Sequence, residues 1–140
     1  MRDIAYEQAM IQKQRRMLRI LDEYNGENSA DWNERDFLAI QRALQIYIES
    51  FIGLARYFVQ QKYNLPVARS REALDELKSR EQLSRQQYEK VLKIIAFRNV
   101  LAHDYLQIDD RIVEAVVVKR EYSVIEELIL KWYQVLESMP

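Results

Sequence analysis

The stretch Phe37-Leu38-Ala39-Ile40-Gln41-Arg42-Ala43-Leu44-Gln45-Ile46-Tyr47-Ile48-Glu49-Ser50-Phe51-Ile52-Gly53-Leu54-Ala55-Arg56-Tyr57-Phe58 decides the fold. Phe37, Ile40, Leu44, Tyr47/Ile48, Phe51, Leu54/Ala55 and Phe58 recur at three- and four-residue intervals. That is the period of a helix, and the apolar face is wide enough to meet neighbours on two sides. Asp31, with Glu34 three residues on, has the pattern of a capping box and marks the expected start. Asn64-Leu65-Pro66 marks the end near Lys62, because a proline disfavours helical geometry in the residue before it. A helix of about thirty residues, about 45 Å long at 1.5 Å per residue, is the spine of a bundle.

Other helices follow on both sides. On the N-terminal side, Ile4, Ile11 and Leu18 repeat at seven, widened by Met10, Met17 and Leu21, which predicts an amphipathic helix from about 2 to 24. Asn25 and Gly26, residues that tolerate a left-handed turn, end it. Beyond the spine, residues 70–80 form a short charged helix with few apolar anchors (Ala73, Leu74, Leu77), a connector across the bundle's end. Ser84-Arg85-Gln86-Gln87 is a capping-box pattern flanked by Leu83 and Tyr88, the residues of a hydrophobic staple. The helix it opens carries Val91, Leu92 and Ile95. A shorter helix spans about 110–119; its Val116-Val117-Val118 run also suits a strand but has no strand to pair with. Ser123-Val124-Ile125-Glu126 reads as a third capping box, opening a last helix with Ile125, Leu128, Ile129, Trp132, Leu136 and Met139 on one face. The expectation is an all-α, up-and-down bundle of four to five main helices, one domain over residues 1–140. With only two glycines and two prolines, the composition favours helix over a turn-dense β fold.

Composition also excludes whole classes of chemistry. There is no cysteine, hence no disulfide, thiolate metal site or cysteine nucleophile. One histidine and no clustered ligands argue against zinc, and no metal or cofactor is expected. A net charge of −1 sets up no global attraction to nucleic acid, so any polyanion contact must come from a local patch. Lys13, Arg15, Arg16 and Arg19 are such a patch, either a solvated helix face or a weak RNA guide. No apolar run nears the roughly 18 residues of a membrane span, and the first residues lack the apolar core of a signal peptide. The expected location is the cytoplasm.

Chemistry concentrates in Arg98-Asn99-Val100-Leu101-Ala102-His103-Asp104-Tyr105, which contains the sole histidine. Arginine offers a permanently charged fork for phosphate oxygens, and imidazole gives and takes a proton near neutral pH. Cleavage of RNA by its own 2′-hydroxyl needs those two services. On an ideal helix residues five apart are turned by about 140° and residues seven apart by about 20°. Arg98 and Tyr105 then share one face, and Asn99 and His103 another. Arg98 and His103 converge on one spot only if the helix distorts or a second copy of the chain completes the site across a two-fold axis. The plain alternative is that both merely bridge neighbouring helices, since an Arg-x4-His pair arises readily by accident.

This octet, with Ile95-Ala96-Phe97 before it, resembles the Arg-x4-His-x-Tyr segment of HEPN-domain proteins, in particular the HepT-like toxins. The Ala43–Glu49 stretch and Pro66 resemble that family's long helix and its end, so the likeness spans about 35–110. The resemblance implies a helical bundle that forms a homodimer through the helix bearing the motif, and metal-independent endoribonuclease activity. It makes Arg98 and His103 catalytic, with Asn99 supporting. It also implies a cognate nucleotidyltransferase antitoxin of the MntA type that transfers AMP to Tyr105, placing phosphates beside Arg98. Some members of the family are inactive partner-binding modules, the alternative reading here. Lys119-Arg120-Glu121-Tyr122-Ser123 departs from the more apolar segment expected at that place and leaves the packing of the last helices open.

Overall fold

The computed structural model describes residues 2–103, 106 and 108–140. Six α-helices, joined by short connections and one 3-10 turn, make an all-α bundle: α1 (Ile4–Asn25), α2 (Glu34–Tyr63), α3 (Ser70–Ser79), α4 (Arg85–His103), α5 (Asp110–Val118) and α6 (Ser123–Ser138). Four are long and two short, and there is no strand among the described residues. The Val116-Val117-Val118 run is helical, as the want of a partner strand requires.

Helix α2 is the spine. Its buried residues run along much of its circumference, from Ile40 to Val59, and α1, α3, α4 and α6 all pack on it. Trp132 of α6 stacks between Phe51 and Phe58, with ring centroids 5.4 and 5.5 Å away. Its indole N–H donates to the Gln82 carbonyl at 3.2 Å, so the largest core side chain leaves no buried donor unpaired. The helix begins later than the Asp31/Glu34 pattern suggests. Ser29–Asp31 is spent on the 3-10 turn, Trp32 is buried against Tyr24 and Phe37, and the cap is Asn33. The Asn33 side chain accepts from the Asp36 N–H at 2.9 Å, and the Asp36 carboxylate accepts from the Asn33 N–H at 2.8 Å. At the other end Asn64 takes a left-handed conformation (φ 55°) and stops the helix before Pro66 acts.

The core face of α1 is turned from the expected stripe. Glu7, Met10, Gln14, Met17 and Leu21 are buried, whereas Ile4 is 50 % exposed and Ile11 and Leu18 sit at the margin. Two polar members of that face, Glu7 and Gln14, conceal its register from a reading of apolar residues alone. Both are satisfied. Glu7 accepts from Arg2 at 2.7 and 3.0 Å and from the Tyr57 hydroxyl, and Gln14 accepts from Tyr133 at 3.2 Å and donates to the Ser50 carbonyl at 3.3 Å. Arg2 and Tyr57 hold the Glu7 carboxyl below the usual carboxylate range, in spite of its burial. Gly26 ends α1 in ordinary right-handed geometry rather than a left-handed turn.

Helix α3 is better anchored than its charge suggests, with Ala73, Leu74 and Leu77 all buried. The box at Ser84 forms as expected: Ser84 Oγ accepts from the Gln87 N–H at 3.1 Å and Gln87 accepts from the Ser84 N–H at 2.9 Å, with Leu83 and Tyr88 buried beside it. The box expected at Ser123 does not form. Ser123 is already helical, and Glu126 turns to Arg120 instead. Arg120, left-handed at φ 51°, makes a two-pronged ion pair with Asp22 of α1 (2.8 Å each) and a further pair with Glu126 (3.1 Å). Tyr122 also donates to Asp22, at 2.7 Å. The segment 119–123 is thus the tie between the α5–α6 turn and α1.

Candidate active site on helix α4

Helix α4 carries the motif, and only Tyr88, Val91 and Leu101 of it are buried. These three set its inward direction toward α2, α3 and α6. Arg98 falls near the middle of that inward side by helical spacing and is half-buried. Its side chain lines a cleft of about 380 Å³ with Glu49, Ile52 and Arg56 of α2 and Ser70 of α3. Its Nε is buried without a hydrogen-bond partner among the described residues. A buried, unpaired N–H costs stability, roughly 1–3 kcal/mol for an ordinary donor; Trp32 Nε1 is the other such group found among the described residues.

His103, the last helical residue, is exposed, as is Asn99 one turn earlier. Leu92, half-buried, and Ala96, exposed, continue the same stripe at four- and three-residue steps. Leu106, just beyond, is 80 % exposed. The outer side of α4 therefore joins apolar side chains to an amide and an imidazole. Within one chain the structure does not bring Arg98 and His103 together. The helix runs without a break through His103, so they diverge by about 140°, as five helical steps require. Tyr105, the expected acceptor of AMP, lies outside the described residues.

Lys13, Arg15, Arg16 and Arg19 are all exposed and make no ion pair among the described residues. They sit on α1, whose main neighbours are α2 and α5, whereas α4 packs on α2, α6 and α3. The cluster is not beside the motif. Arg15 instead borders an apolar cleft of about 330 Å³ between α1 and α6, walled by Ile11, Leu18, Ile129 and Leu130. Cations that do lie by α4 escaped the sequence reading. Lys90 and Lys93 of α4 and Lys119 after α5 surround a concavity of about 330 Å³. Spacing alone pairs Lys90 with Lys93; the return of the chain after α5, which brings Lys119 to them, is a tertiary fact. Arg56, across the cleft from Arg98, is the other cation missed. No group of three or more acidic or imidazole side chains that suits a metal ion occurs among the described residues. Among the described residues no helix is long and apolar enough to cross a membrane.

No curated protein sequence matches the chain. Among solved structures, a toxin–antitoxin crystallised with AMP-PNP is 20 % identical with a TM-score of 0.77, covering 94 % of this chain and 99 % of that one. A tri-AMPylated HEPN toxin of Shewanella oneidensis in complex with MNT antitoxin is 21 % identical with a TM-score of 0.77, covering 94 % and 97 %. YutE of Bacillus subtilis, a cytosolic protein of unknown function, is 16 % identical with a TM-score of 0.76, covering 94 % and 91 %. At these identities the likeness is one of fold. The HepT-like ribonuclease family matches residues 10–131, nearly the whole bundle. The chain belongs to the HepT-like ribonuclease family.

Proposed function

We propose that this protein is a metal-independent endoribonuclease, the toxin of a toxin–antitoxin pair, whose active site forms where two copies meet along α4. The observation that carries this reading is the divergence of Arg98 and His103 on one unbroken helix, with the imidazole in solvent and the guanidinium buried at Nε without a partner among the described residues. Among those residues neither side chain meets its chemical counterpart. A two-fold axis beside the Leu92–Ala96–Asn99–His103 stripe supplies the second set and covers the apolar side chains that α4 leaves in water.

In that site one imidazole takes the proton of the RNA 2′-hydroxyl as its oxygen bonds to phosphorus. The second gives a proton to the departing 5′-oxygen as the P–O5′ bond breaks. The products are a 2′,3′-cyclic phosphate and a 5′-hydroxyl. Arg98 neutralises the charge that grows on the phosphoryl oxygens, and Asn99 orients imidazole or phosphate. Every group is organic, which is the basis for expecting cleavage without a metal.

The partner in this reading is a nucleotidyltransferase of the MNT kind, the type of antitoxin bound to the AMPylated toxin of Shewanella oneidensis. AMP on Tyr105, two residues past His103, sets a phosphate beside the anion site and keeps RNA out. The test compares wild type with His103→Ala on purified RNA in chelator. Wild type should cleave and leave cyclic phosphate ends, and the variant should not. Equal cleavage by both removes the assignment. Cleavage by neither, with retained partner binding, makes the chain an interaction module.

A further inference from the structure

Beyond the scissile phosphate, we infer that the cleft between α2, α3 and α4 is a second phosphate subsite, in which Arg56 binds a neighbouring phosphate of the same RNA strand. The inference rests on Arg98 being the phosphate-binding residue of the proposed nuclease. The cleft of about 380 Å³ is lined by Arg56, Arg98, Glu49, Ile52 and Ser70. Arg56 is exposed and half anchored: Nη1 donates to the Ala68 carbonyl at 3.0 Å, which aims the planar group while its other N–H donors have no partner among the described residues. An arginine oriented in this way has already lost much of its freedom, so binding an anion costs it less entropy.

The surroundings favour one phosphate at one end. Ser70, which also lines the cleft, opens α3, a ten-residue helix whose first turn has no side-chain cap and so leaves backbone N–H groups free of one, two residues past the Ala68 carbonyl that Arg56 holds. The charge comes from the two guanidinia, and the helix end adds donors to it. Glu49 lies two turns before Arg56 on α2, bound to Gln45 at 3.2 Å and to neither arginine. Its carboxylate repels phosphate and confines the anion to the Arg56–Ser70 end. In the proposed nuclease Arg98, which lines this cleft, is also the ligand of the scissile phosphate, so the strand would pass from that phosphate to the next along the cleft.

The experiment measures binding rather than cleavage, in the His103→Ala background, with a fluorescein-labelled single-stranded oligoribonucleotide titrated by anisotropy at several KCl concentrations. Arg56→Gln should weaken binding about 5- to 10-fold at low salt and lower the slope of log Kd against log salt by about one phosphate contact. Arg56→Lys should restore part of the affinity. Because Arg56 also holds Ala68, a second variant guards against a loosened loop: Glu49→Gln touches neither and should tighten binding a few-fold. Only a charge-based role predicts opposite signs for the two. An unchanged Kd and slope in Arg56→Gln, or weaker or equal binding in Glu49→Gln, overturns the subsite. If wild type fails to cleave RNA yet Arg56→Gln still lowers affinity and slope, the subsite stands and the nuclease assignment falls. If wild type cleaves and Arg56→Gln binds like its parent, the reverse holds.

Discussion

Replacing Arg98 by methionine separates a catalytic guanidinium from a structural one. Methionine keeps most of the aliphatic stem, which lines the cleft together with Ile52, and removes the fork. The buried Nε has no partner among the described residues, so the folded state bears an unmet donor. Its relief is worth at most about 1–3 kcal/mol, and part of that gain goes to imperfect packing of the new side chain. The expected outcome is a stability unchanged or raised by about 1 kcal/mol, a rise in Tm of about 3–5 °C for a domain of this size. Cleavage, by contrast, loses the charge that balances the transition state. Removing one such donor costs about 10²- to 10³-fold in other hydrolytic sites, and a similar fall is expected here. Thermal melts followed by circular dichroism give the first number and single-turnover cleavage of labelled RNA the second. A drop of more than about 2 kcal/mol, the sign of a broken buried pair, would refute the reasoning, as would full activity in a stable variant.

Three further outcomes follow from the same geometry. Partners in the fold depress the Glu7 and Asp22 carboxyls, Arg2 chiefly for the first and Arg120 for the second, so their contribution to stability is complete above the unfolded values near pH 4 and is lost as pH falls through the lower folded ones. Melts between pH 7 and 2 should show that acid loss, less steep in Glu7→Gln, and identical slopes would contradict it. Trp132→Ala removes the ring stacked between Phe51 and Phe58 and should cost about 3–5 kcal/mol in urea unfolding; a loss under 1 kcal/mol would show the stack to be incidental. Incubation with the proposed nucleotidyltransferase partner and ATP should raise the protein's mass in steps of one AMP, abolished by Tyr105→Phe and read by intact mass spectrometry, whereas modification mapped to another residue would refute the proposed role of Tyr105.

The long helices were legible because their period repeats over several turns, and Phe37 through Phe58 fall where a spine helix needs them. Ends were harder to read. Asp31 and Asn33 have similar cap propensities, and the packing of Trp32 against Tyr24 and Phe37 goes with a start at Asn33, a contact that a capping pattern does not contain. The register of α1 was hidden by Glu7 and Gln14, polar side chains satisfied only by Arg2, Tyr57, Tyr133 and Ser50 from elsewhere in the chain. Glu126 completes a capping-box pattern with Ser123 on paper and serves Arg120 in the fold, whose left-handed turn no propensity announces. In the candidate site, Arg98 and His103 stood out by residue type, and helical spacing alone stated their divergence. Arg56, Lys93 and Lys119 did not stand out, since an isolated surface cation acquires meaning only when folding sets another beside it.

The shared site is tested most directly by mixing wild type with the inactive His103→Ala protein. Denatured together and refolded, the two pair at random, and a mixed dimer holds one imidazole where the proposed mechanism needs two. RNA cleavage should then fall as the square of the wild-type fraction, to about a quarter at equal amounts. A fall in simple proportion to the wild-type fraction, with mixed dimers present by native mass spectrometry, would contradict the shared site.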